Sequence, residues 1–389
     1  MDARFIYDAS LSDYELSEGH PFKPVRLELT KTLLEEVGLL SEANLASVQP
    51  LEPGLLSSVH DIDYINAVKE VSKGHLPEGH LRFGLGTADN PIFANMHRAI
   101  KQVCAATTTA LTLVATGDAQ RVVNLAGGLH HAHANKASGF CVYNDLATAI
   151  EHVSKSFGVR VAYIDIDAHH GDGVQGLFYE REDVLTFSIH ESGRYLFPGT
   201  GHTYELGKHA GRGLKVNIPL EPFTEDGSYL NCLKEILPRA LEVFRPDIIL
   251  LQAGADMHRR DPLADLALSL QGMAESYAFI SELADQFCEG RLVATGGGGY
   301  DPYHAVPRAW AALWAAVSRQ TMPDVLPTRW HDVWQSRSPE TLPKTLFDDV
   351  DAWSPIPRRA EIEKHNAAVV RRLLNTLEPI WQERQAAKV

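Results

Sequence analysis

Five short apolar runs constrain the fold more than any other feature of the sequence. They are RVVNLA (121–126), VRVAYIDID (159–167), VLTFSIH (184–190), DIILLQAGAD (247–256) and RLVATGGGG (291–299). Each is apolar on successive rather than alternate residues, so both of its faces must be covered, as in a parallel sheet flanked by helices. The stretches between them carry helical patterns, for example GSYLNCLKEILPRALEVF (227–244) and SLQGMAESYAFISELADQFC (269–288). This alternation predicts an α/β fold with a central, mostly parallel sheet and helices on both faces. No repeat or low-complexity linker interrupts it, and 389 residues suffice for one large α/β domain. We expect a single domain over 1–357, followed by a helical segment over 358–389 that packs on it or projects from it.

A formal charge of -14 argues against a nucleic-acid partner, which would need a basic face to release counterions. The most apolar stretches, such as 248–255 and 309–317, are far shorter than the roughly 20 residues of a membrane helix. The first ten residues, MDARFIYDAS, contain no signal-peptide core. Cys104, Cys141, Cys232 and Cys288 are scattered without a CxxC pair, which predicts buried free thiols rather than disulfides or a thiolate metal site. A cytoplasmic protein is expected, with no membrane partner.

The chemistry lies where the runs end. In an open α/β sheet, ligands bind beyond the carboxyl ends of the strands. His130 and His131 follow the first run, Asp165, Asp167, His169, His170 and Asp172 follow VAYI, Asp256 ends the fourth, and Tyr300 follows the last. In extended backbone, Asp165, Asp167 and His169 would share one side. With Asp256, Asp167 and His169 supply one imidazole and two carboxylates, a donor set for zinc or another divalent first-row ion. A lone DxD would read as solvated acids at a strand end; five such groups within eight residues do not. A histidine acting as a base needs a carboxylate on its other ring nitrogen, and Asp165 and Asp172 are the spare acids. GGGGY (296–300) lacks the features of a phosphate loop. Its glycines would carry Tyr300 on a movable turn, unless that tyrosine is simply core.

The motifs together resemble the zinc-dependent histone deacetylase family, in particular its bacterial acetoin-utilisation members. The resemblance runs in chain order through HPFKPVRLELTKTLL (20–34), GLGTADNP (84–91), GGLHHAHANKASGFCVYND (127–145), DIDAHHGDGVQ (165–175), FPGTG (197–201), QAGADMHRRDPLADLALS (252–269) and GGGGYDP (296–302). It covers roughly the first 310 residues and none of the last portion.

The resemblance implies an arginase/deacetylase-type single domain that hydrolyses acetyl-lysine, or a related acyl-lysine or acetylated small amine. It places a catalytic zinc, with Fe2+ or Co2+ as substitutes, on Asp167, His169 and Asp256. It makes His131 the general base and acid, paired with Asp172, pairs His130 with Asp165, and makes Tyr300 the oxyanion donor. Gly139, Phe140, Phe197 and Leu263 match the wall of an acyl-lysine tunnel, and Asp89 matches a rim acid that holds substrate amides. A structural potassium ion would lie on Asp165, Asp167, His169, Ser188 and the carbonyl of Ile189. The ureohydrolases of the same fold class need a DxHxD run, but here the second acid, Asp172, comes one residue late and His258 replaces a second carboxylate on the other strand. A polyamine deacetylase would carry glutamate where Leu263 follows Asp261-Pro262. A non-catalytic binding module would have lost a histidine or Tyr300, and none is lost. The oligomeric state and the physiological substrate are not legible.

Overall fold

The computed structural model describes residues 3–386, so the two residues before and the three after belong to the expected segments but lie outside the description. Among the described residues one sheet holds eight strands: β1 (Ala3–Ile6), β2 (Leu45–Ala46), β3 (Arg121–Asn124), β4 (Val161–Asp165), β5 (Val184–Glu191), β6 (Lys215–Leu220), β7 (Ile248–Gln252) and β8 (Leu292–Thr295). Their order is β2-β1-β3-β8-β7-β4-β5-β6, with every pairing parallel. The five apolar runs are the interior strands β3, β8, β7, β4 and β5. The strands missed from sequence are the outer ones. β1 and β2 have four and two residues, and β6 carries Lys215, Asn217 and Pro219, a composition that only an edge strand tolerates.

β3, β4, β7 and β8 stop earlier than their apolar runs, while β5 continues to Glu191. Asn124 of β3 pairs with Thr295 of β8, Thr295 with Gln252 of β7, Gln252 with Asp165 of β4, and Asp165 with Ser188 of β5. Across β3, β8, β7 and β4 the sheet therefore ends at one level on a buried polar row, while β5 and β6 pair on to Glu191 and Leu220. Beyond it the loops after β3, β8, β7 and β4 leave side by side, which brings four strand ends to one crevice.

Helices cover both faces. Met96–Thr116 packs on Asp145–Phe157, and Leu270–Cys288 on Asp226–Phe244 and Ala305–Ser318. Their starts are chemically marked: the Asn144 side chain accepts the Ala147 N–H and that of Ser269 accepts the Gly272 N–H. The C-terminal helix, Arg359–Ala386, lies against Asp226–Phe244 and β6. It buries Val370, Leu373, Leu377 and Trp381, each contributing roughly 1.5–3 kcal/mol, and Trp381 Nε1 donates to the Gly213 carbonyl at 2.8 Å. The four cysteines are buried and free. Among the described residues no helix is long and apolar enough to cross a membrane.

Candidate metal and catalytic site

Extended backbone ends at Asp165, so the expected alternation does not continue through Asp167 and His169. Asp165 instead faces His130, while Asp167 and His169 meet Asp256 from the loop after β7. One ligand atom from each of these three buried residues lies within 4.8 Å of the others. His169 Nδ1 stands 2.9 Å from Asp256 Oδ2 and 3.2 Å from Asp167 Oδ1. Both carboxylates are held by hydrogen bonds, Asp167 Oδ1 accepting the His169 N–H at 3.0 Å. Asp167 Oδ2 accepts from Gln252 Nε2 and the Gly298 N–H, both at 2.8 Å, and Asp256 Oδ1 accepts the Ala168 N–H at 2.8 Å. Two buried carboxylates at this separation are costly without a cation, and one nitrogen with two oxygens fits a divalent first-row ion.

The two histidines sort onto separate acids. His130 Nδ1 meets Asp165 Oδ2 at 2.9 Å, and His131 Nδ1 meets Asp172 Oδ1 at 2.8 Å. Their Nε2 atoms are 2.9 Å apart. With both Nδ1–H groups pointed at carboxylates, that contact needs one proton shared between the two Nε2 atoms. Burial disfavours charge on His130, but Asp165 and then Asp167 outweigh it and raise the ring to about 9. Burial and the neighbouring charge on His130 lower His131 to about 3. On this balance the proton lies on His130 Nε2, which donates it to the His131 Nε2 lone pair and leaves the His131 ring neutral. Asp172, although buried, is drawn well below the usual carboxylate range by His131 and His133. The Oδ2 of Asp172 is 3.2 Å from His133 Nε2.

The glycines suggested a movable turn, but the Tyr300 turn is tied to its surroundings at several points. Arg26 Nη1 donates to the Gly297 and Gly299 carbonyls at 3.0 and 2.9 Å, and the Tyr300 N–H donates to Asp261 Oδ2 at 2.7 Å. Close approach explains the glycine run: a Cβ at Gly298 would stand 2.0 Å from Asp256 Oδ2. The Tyr300 ring lies edge-on to His169 with centroids 6.5 Å apart, and His131 flanks the same imidazole at 5.9 Å. Burial, then Asp256, Asp167 and Asp261, hold the phenol well above its ordinary pKa, so it stays protonated.

Phe197 packs edge-on against His131 at 4.9 Å and Phe140 against Tyr300 at 5.7 Å. Gly139 closes against both His131 and Phe197. Phe197 and Leu263 are partly open to solvent, at 43% and 37% exposed, and Asp89 is exposed. Of the residues matched to a potassium site, Asp165 and Ser188 are register partners. Asp165 Oδ2 also accepts from the Tyr163 hydroxyl at 2.5 Å, and Ser188 Oγ bonds His190 Nδ1 at 2.7 Å.

Sequence reasoning missed the groups that hold these residues in place. Asp145 accepts the Gly128 and Leu129 N–H groups at 3.1 and 2.8 Å and so fixes the approach to His130. Gln252, Arg26 and Asp261 do the same for Asp167 and the Tyr300 turn. Gln252 and Asp261 stood in the QAGAD and Asp-Pro segments, but nothing in the sequence names their backbone partners. His258 turns to Asp348, at 3.0 Å from Nε2.

Residues 20–317 match the histone deacetylase domain. The acetoin utilization protein AcuC of Bacillus subtilis (strain 168) is 43% identical over 375 residues, covering 96% of this chain and 97% of that protein. AcuC of Staphylococcus aureus (strain MRSA252) is 38% identical over 364 residues, 93% and 94% of the two chains. A crystal structure of an HDAC homologue complexed with SAHA superposes with a TM-score of 0.85 at 30% identity, over 96% of this chain and 100% of the other. An HDAC homologue from Aquifex aeolicus gives 0.81 at 29% identity, over 94% and 100%.

Proposed function

This chain belongs to the histone deacetylase family of hydrolases, and we propose that it is a zinc-dependent deacylase that releases acetate, or a related acid, from acylated lysine side chains. The observation that carries this reading is that His131 and Tyr300 both lie edge-on to one triad imidazole, His169. Asp167, His169 and Asp256 would hold the zinc, which when bound supplies Lewis-acid polarisation of the amide and acidifies water. Fe2+ or Co2+ would suit the same donors. Asp165, Asp167, His169, Ser188 and the Ile189 carbonyl would hold potassium.

His131 accepts the proton of the attacking water at Nε2 in place of the His130 hydrogen bond, because Nδ1 is committed to Asp172 and the ring is neutral. The water oxygen bonds to the acyl carbon as Tyr300 donates its hydroxyl to the developing oxyanion, an interaction worth roughly 3 kcal/mol. His131 then returns the proton to the leaving nitrogen. The C–N bond breaks, leaving the carboxylic acid and the free amine. Gly139, Phe140, Phe197 and Leu263 would enclose the acyl-lysine stem in an apolar tunnel, and Asp89 would take substrate backbone amides at its rim.

The test is a panel of acylated lysine peptides and acetylated small amines, assayed with zinc-loaded and zinc-stripped enzyme. Zinc-dependent turnover of acetyl-lysine peptides is expected. Turnover confined to the free small amines would overturn the lysine assignment, and turnover of neither would overturn the hydrolase reading.

A further inference from the structure

We propose that Asp261 is a positioning residue for the oxyanion donor, fixing Tyr300 relative to the tunnel wall at Leu263. The inference rests on the reading of Tyr300 above and adds the group through which its position is set. The Asp261 side chain is buried, and its two oxygens serve two chain segments. Oδ1 accepts the Leu263 N–H at 2.9 Å and Oδ2 accepts the Tyr300 N–H at 2.7 Å. Among the described residues no lysine, arginine or histidine forms an ion pair with it. Burial and then the charge of Asp256 push this carboxyl up to about 8, against the two backbone hydrogen bonds that it accepts. The two N–H groups come from separate segments and meet separate oxygens, Oδ1 and Oδ2, whereas an amide has one oxygen and an N–H2 donor in place of the other.

The Tyr300 hydroxyl bonds to no group among the described residues, so nothing anchors the phenol at its reactive end. Its placement comes from the backbone. Arg26 holds the carbonyls of Gly297 and Gly299 on one side, and Asp261 holds the Tyr300 N–H on the other. A shift of about 1 Å in a reacting group can cost on the order of 10²-fold in rate.

The test is a double-mutant cycle on the zinc-loaded enzyme with an acetyl-lysine peptide, reading kcat, KM, zinc content and Tm. Asp261→Asn keeps the volume and one acceptor, while Asp261→Ala removes both. Asp261→Asn is expected to lower kcat by about 10- to 10²-fold, with KM and zinc content near the parent values. In a Tyr300→Phe background the same substitution should add no further loss. An equal further loss in that background overturns the proposal, as does an unchanged kcat in Asp261→Asn or a fall in zinc content that tracks activity. If Asp261→Ala does not fold, Asp261→Asn at a near-parental Tm still decides the matter. A Tyr300→Phe enzyme with parental kcat is a separate failure: it removes the oxyanion reading itself, and the positioning role with it.

Discussion

Replacing Gly139 by alanine should disable the base while sparing the metal triad. The new Cβ would stand 2.5 Å from His131 Cδ2 and 2.8 Å from Phe197 Cε1, where ordinary contact begins at 3.4 Å. Phe197 is 43% exposed and can swing outward. His131 has no such open path, since Asp172 holds Nδ1 at 2.8 Å and His130 meets Nε2 at 2.9 Å, so any shift strains these contacts. Relieving the overlap moves the imidazole by roughly 1 Å, the scale of displacement that costs on the order of 10²-fold in rate. The backbone at φ +50° adds roughly 1–2 kcal/mol of strain for a residue with a side chain, a change of no more than a few degrees in Tm for a chain of this size. Single-turnover hydrolysis of an acetyl-lysine peptide, with zinc content and Tm on the same preparation, separates these effects. Parental single-turnover rates in a folded, zinc-replete Gly139→Ala protein would refute the placement of His131 beside the reacting atoms.

Other perturbations reach different parts of the site. Asp256→Ala should abolish both tight zinc binding and hydrolysis with the fold largely intact by circular dichroism; normal zinc content and activity would remove the triad assignment. His131→Ala should cost more kcat than His130→Ala, within the roughly 10²–10⁴-fold range of general acid–base catalysis, and the reverse order in steady-state assays would exchange their roles. Asp348, although burial opposes its charge, is drawn down to about 2 by His258 and Arg308. A depressed carboxyl stabilises the fold above its ordinary pKa and loses that contribution as pH falls. Asp348→Asn should therefore cost about 2 kcal/mol in urea unfolding at neutral pH, with the difference from the parent shrinking as pH drops from about 4 towards 2.

The interior of the sheet was legible because burial on both faces leaves a continuous apolar run, and β3, β4, β5, β7 and β8 all carry one. β6 was not, because an edge strand can hold Lys215 and Pro219, and those residues count against a strand when neighbours are unknown. The triad and the two histidines were visible as unusual chemistry at strand ends. Which acid serves which histidine came only from the family resemblance, since the residues alone left Asp165 and Asp172 interchangeable. The answer lies in chain direction: extended backbone ends at Asp165, whose Oδ2 meets His130, while Asp172 opens the next helix and meets His131.

The least legible residues are those that act through backbone atoms. A sequence shows that Asp145, Asp261 and Arg26 are charged, but it cannot show that the partners are the N–H groups of Gly128, Leu129, Leu263 and Tyr300 or the carbonyls of Gly297 and Gly299. The same limit produced the expectation of a movable glycine turn. Glycine widens the conformations open to an unfolded chain, but in the folded protein it also lets the backbone come close enough to be gripped. At 296–299 the second effect prevails: without side chains in the way, the Gly298 N–H reaches Asp167 and the flanking carbonyls reach Arg26. A run that reads as flexible is thereby tied to a carboxylate of the candidate metal triad and to a buried guanidinium, and the tyrosine that follows it takes its position from those contacts.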